Sequence, residues 1–160
     1  MGTRSTTQIV EIQEDWDGNE VEVPIVTFYR QFDGYPTVHG NEILEFLKLV
    51  SLKHGGLVFP LPEDFDMEQR RANGAGCLAA QMIGWFKDRQ TNYHYTKDGN
   101  FETPCKMGGI YITSHDDSQA FNYKIIIRGN EIEWLIINGV KIPYDEVLHF
   151  VSDDEWWETC

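Results

Sequence analysis

The segment Tyr29 to Gly40, YRQFDGYPTVHG, crowds an arginine, an amide, a carboxylate, two tyrosines and a histidine around an Asp33-Gly34 turn. A guanidinium offers forked donors to phosphate, an amide can read a base edge or a ribose hydroxyl, and a phenol ring can stack on a base. Arg30, joined by Arg4 near the chain start, is therefore a candidate phosphate ligand. Gln31 and Asp33 suit ribose or base, Tyr29 and Tyr35 suit stacking, and His39 closes the loop. The same residues also serve a purely structural reading, in which Arg30 pairs with Asp33 or an edge acid and the tyrosines finish the rim of a core.

A second candidate is Asn73-Gly74-Ala75-Gly76 at the start of a helix-like run, where free amides and the positive end of the helix dipole favour an anion. No Lys-Ser/Thr follows and no strand directly precedes, so neither a P-loop nor a dinucleotide fold is indicated. Close helix packing explains the glycines equally well. Cys77 sits in the first turn of this helix, where the dipole favours a thiolate, and His39 or His115 could act as its base. A small cysteine packed against a sheet fits the flanking Gly76 and Leu78-Ala79-Ala80 as well. His39 alone could transfer protons in phosphodiester cleavage, but no second histidine stands at a matched H-x-T/S spacing. His115-Asp116-Asp117 reads as a solvated turn.

Metal and cofactor chemistry find little support. The five histidines are scattered without a His-x-x-x-His pair, and the three cysteines lack a C-x-x-C spacing. Asp15, Asp17 and Gly18 imitate part of a calcium loop without its spacing or closing Glu, so they read as turn chemistry. Reduced thiols, no metal and no cofactor are the expectation.

The elements that must position these groups follow from periodicity. QIVEI and Val21 to Arg30 form a hairpin about the Asp15 turn. Asn41 caps a helix whose apolar stripe is Ile43, Phe46, Leu47 and Val50, and Leu78, Ala79, Met82, Trp85 and Phe86 line a second helix. Between them, Pro60 to Arg71 is long enough to form a lid or rim. GGIYIT is strand-like, and NYKIIIRGNEIEWLIING makes two strands about Gly129-Asn130, the Ile125-Ile126-Ile127 run marking a central strand. Val140 to Val151 continues as a short strand or helix. Hairpins without regular β-α-β alternation predict an α+β fold, a single domain whose mainly antiparallel sheet of about five to six strands carries two helices packed on one face. That domain spans 1–152, and 153–160 forms an acidic tail with Trp156 and Trp157, which hint at a homo-oligomer.

Twenty-six acidic against 13 basic residues give a net charge of -13, which disfavours general nucleic-acid or membrane-surface binding. A chain of 160 residues, 41% hydrophobic, holds one sizeable core. No apolar run approaches about 20 residues and no signal pattern opens the chain, so a cytoplasmic protein is expected.

Met1-Gly2-Thr3-Arg4-Ser5, Tyr29-Arg30-Gln31, Asp33-Gly34-Tyr35-Pro36, His39-Gly40, Asn73-Gly74 and Gly76-Cys77-Leu78-Ala79-Ala80-Gln81 occur in this order. On these blocks the chain resembles a family of small phage and bacterial proteins with no assigned activity. The resemblance implies a context of phage counter-defence, in which nucleotide signals are captured or destroyed. The expectation is thus a non-enzymatic protein holding a small phosphorylated, nucleotide-derived ligand between the Arg30 loop and the Gly74 helix start. The alternatives are a hydrolase of the same ligand using His39 or Cys77, and an acidic protein-interaction module.

Overall fold

The computed structural model describes residues 3–52, 70–88, 92–95, 101–105, 109–114 and 119–147, with backbone alone at 92–95 and 101–105. The first hairpin joins β1 (Ser5–Glu14) to β2 (Glu20–Arg30), antiparallel from Ser5 opposite Arg30 to Glu14 opposite Glu20. Its turn is closed by Asp15, whose carboxylate accepts from the Asp17 and Asn19 amides at 2.9 and 2.8 Å, while Gly18 supplies a φ of 79°. Turn chemistry thus accounts for the acidic cluster, and among the described residues no group of three metal-ligating side chains gathers.

After β2, a single π-helical turn (Pro36–Gly40) leads into α1 (Asn41–Leu49), followed by β3 (Val50–Leu52) and β4 (Arg70–Ala72), which pair in parallel. Then comes α2 (Gly74–Asp88), which β4 directly precedes although the sequence pattern indicates no strand there, followed by the β5 (Asn92–Tyr95) and β6 (Phe101–Cys105) pair and β7 (Ile110–Ile112). The chain continues through β8 (Phe121–Arg128), β9 (Glu131–Ile137), β10 (Val140–Pro143) and a 3-10 turn (Tyr144–Glu146).

Six strands form the main sheet in the order β10-β9-β8-β1-β2-β7. Every pairing in it is antiparallel except β1 with β8, so the fold is the expected α+β domain with a mostly antiparallel sheet and two helices. Strand alternation sorts the central residues onto two faces. Ile9, Phe28, Tyr123, Ile125, Ile127, Leu135 and Ile137 join the helices in the core, whereas the neighbouring Val10 and Ile126 are buried outside that cluster and lie opposite each other in register. The helices contribute Ile43, Leu44, Phe46 and Leu47 from α1 and Leu78, Ala79, Met82 and Phe86 from α2. Each large apolar side chain so buried stabilises the fold by about 1.5–3 kcal/mol.

The helix start differs from expectation. Gly40, not Asn41, occupies the cap position, and the Asn41 amide instead donates to the Thr37 carbonyl at 3.0 Å. The preceding π-helical turn already runs into α1, so no extended residue is left to act as a side-chain cap. The expected lid before Arg70, the His115 turn and the tail 153–160 lie outside the described residues. No helix among the described residues is long and apolar enough to cross a membrane.

Candidate functional site

The Tyr29 to Gly40 segment divides into a buried half and an accessible half. Phe28 faces the core, so the two-residue period of β2 carries Arg30 to the same face and Tyr29 to the other. Arg30 is only 5% exposed. Its Nε donates to the Phe32 carbonyl at 2.7 Å, and its Nη1 serves both Glu42 and His39 Nδ1, the latter at 3.1 Å. Arg30 is therefore not a free phosphate grip: its Nε and Nη1 donors are committed to loop backbone, acid and imidazole.

His39 is fully buried against Phe28, Phe86 and Tyr123, with ring centroids 5.2 to 6.1 Å away. An arginine can only donate, so Nδ1 accepts and the imidazole proton resides on Nε2, 2.8 Å from Thr7 Oγ1. Burial, with the Arg30 charge adding to it, holds His39 well below the usual histidine range and therefore neutral. Both ring nitrogens are occupied, leaving none to exchange protons with a substrate.

The loop is tied down at further points. Tyr123 Oη donates to the Gly34 carbonyl at 2.7 Å, and burial raises that phenol well above its ordinary range. The Gly34 amide donates to the Thr3 carbonyl at 2.9 Å, and a Cβ on Gly34 would come within 2.7 Å of the Ser5 side chain. Glycine is needed here for close approach. Asp33 beside it takes a left-handed φ of 57°, tolerated better by Asp than by most residues.

Above this bracket lies the accessible half. Tyr29, Gln31 and Tyr35 are half-buried and Asp33 is exposed; Tyr29 Oη donates to Gln31 Oε1 at 2.6 Å. Arg4 is also exposed, one residue before Ser5, which pairs with Arg30, so it stands at the same end of the sheet. The structure thus brings Arg4, Tyr29, Gln31, Asp33 and Tyr35 to the corner where β1 begins and β2 ends.

Asn73, Gly74 and Gly76 do not join them. Phe86 is the α2 residue that touches His39, and Gly74 lies on the order of 18 Å away along the helix axis at the rise of an α-helix. Cys77, half-buried near that far end, receives a hydrogen bond from Gln81 Nε2 at 3.4 Å and is separated from His39 by most of the helix. A Cys77–His39 pair is not formed.

No family model, curated protein or solved structure matches the chain. What each residue can do follows from its chemistry and position. Thr7, Glu42 and Tyr123 were not singled out by type, yet they complete the bracket; for Thr7 the legible signal was its alternation with Ile9, which places both on the core face.

Proposed function

We propose that the protein is a non-enzymatic binder of a small phosphorylated, nucleotide-derived ligand at the sheet corner formed by Arg4, Tyr29, Gln31, Asp33 and Tyr35. Arg4 supplies the cation for phosphate, Gln31 and Asp33 the polar contacts to ribose or base, and Tyr29 or Tyr35 an aromatic face. Arg30 and His39 act as positioning residues beneath them. The observation that carries this reading is the anchoring of the loop. Arg30, His39, Tyr123 and Thr3 all bond to a short connection whose outward side chains are polar and aromatic, the arrangement of a preorganised recognition loop. Capture rather than cleavage is favoured because neither His39 nitrogen is available for acid-base work. The Gly74 helix start has no part in this site, given its distance from the loop. The likeness of the sequence blocks to small phage proteins supports a role in capturing a nucleotide signal inside an infected cell.

Incubation with a panel of cyclic and linear nucleotides, removal of free ligand, heat denaturation and mass spectrometry of the released material test the reading. Intact nucleotide from wild type, with much less from Arg4→Gln, is expected. Chemically altered nucleotide would instead mark a hydrolase, and no retention would leave the acidic chain as a protein-binding module.

A further inference from the structure

Tyr111 lies on β7, the edge strand, directly opposite Tyr29 in the antiparallel register. Side chains of such partners project from the same face of a sheet, with Cβ atoms about 4.5–5.5 Å apart. Tyr111 is 54% exposed. The two phenols are engaged by different partners: the Tyr29 hydroxyl by Gln31, and the Tyr111 ring by the Lys87 ammonium, 5.0 Å from its centroid. Lys87 covers one side of the ring and restrains it through a cation–π contact. The side of the ring turned away from Lys87 is open to solvent on the strand next to Tyr29, at the sheet edge near Arg4 and Gln31. Phe32, 56% exposed, adds apolar surface at the same end of β2.

The geometry points to Tyr111 as a base-stacking residue of the ligand site: a planar nucleobase lies on the Tyr111 ring next to Tyr29, while Lys87 positions the ring from its other side. This assignment rests on the binding reading above and adds the requirement for an aromatic base. Stacking on an aromatic side chain is sequence-tolerant, so Tyr111 contributes affinity for any base, and most for the larger purine face. Lys87 is a positioning residue here, because it acts through the tyrosine.

Titration of the full chain with adenosine monophosphate and with ribose 5-phosphate, which has the phosphate and no base, separates the two claims. Tyr111→Leu is expected to weaken adenosine monophosphate binding on the order of 5- to 100-fold, the equivalent of one base–aromatic stack, and to leave ribose 5-phosphate binding unchanged. Tyr111→Phe keeps the ring and is expected to bind like wild type. Because the side chain is largely exposed, both variants should fold, which their circular dichroism and melting curves check. If wild type binds adenosine monophosphate and Tyr111→Leu binds it equally well, the stacking assignment is overturned while the site itself stands. Equal losses for both probes would also overturn it, as they would show a general disturbance of the corner. If wild type binds neither probe nor any nucleotide of the panel, both claims fall together.

Discussion

Two arginine clusters of similar chemistry sit in opposite settings. Arg30 pairs with Glu42 where the side chains keep only 7% and 17% of their exposure, and it also holds His39 and the Phe32 carbonyl. Arg128 pairs with Glu20 and, at 2.6 Å, with Glu133 on the far side of the sheet, with 45% of its side chain in solvent. Water and salt screen the second cluster, whereas the first has far less solvent to replace a lost partner. The difference teaches that partner number alone does not rank an ion pair. Burial decides which one holds its loop in place.

The sharpest way to break the comparison is Arg30→Met. It takes the guanidinium away from the half-buried Glu42 and leaves His39 Nδ1 without a donor, so a loss of about 1–3 kcal/mol is expected in urea unfolding. The double variant Arg30→Met with Glu42→Leu should recover part of that loss, since an apolar pair replaces the separated charges. Full stability of the single variant would show that the pair is not what holds the loop.

Gly34→Ala tests the same bracket through packing. The added Cβ would meet Ser5 at 2.7 Å and the Thr3 carbonyl at 2.9 Å, and backbone cannot yield cheaply. A loss of about 1–3 kcal/mol is expected in the denaturation midpoint, together with weaker nucleotide retention.

Acid probes His39. Its folded-state proton affinity is depressed by burial, while the unfolded chain takes up a proton near the ordinary histidine range. The unfolded state therefore binds more protons as pH falls below about 6.5, and stability is lost in that window with a slope approaching about 1.4 kcal/mol per pH unit. Stability is fully present above it. Urea midpoints of wild type and His39→Gln, compared at about pH 7.5 and about pH 5.5, should show a larger acid loss in wild type. Parallel losses would remove His39 from the bracket. At the small end, Arg128→Ala should leave the melting temperature close to wild type, and a large drop would undo the contrast between the clusters.

Much of the fold was legible in the sequence. The Asp15 turn, the Ile43/Phe46/Leu47 stripe, the inward face of the second helix and the Gly129 hairpin all follow from local pattern, because backbone period and turn chemistry are local properties. The parallel pairing of β1 with β8 was not, since it joins strands more than a hundred residues apart. In the Tyr29 to Gly40 segment, residue type picked out the polar side chains but not the direction in which they point. Arg30 and His39 are polar by type and buried by position. The Phe28/Arg30 alternation held the clue for Arg30, while the direction of His39 depends on a π-helical turn that no sequence period announces. The separation of Gly74 from the loop became visible only once Phe86 was seen against His39.

The central claim is that the outward half of this anchored loop is where a nucleotide-derived ligand sits. Amide hydrogen exchange with and without a retained nucleotide tests it most directly. Added protection should concentrate at residues 3–6, 29–35 and 110–112, leaving the Gly74 helix start unchanged. Protection confined to residues 73–77, or none at the corner while nucleotide is bound, would contradict the account.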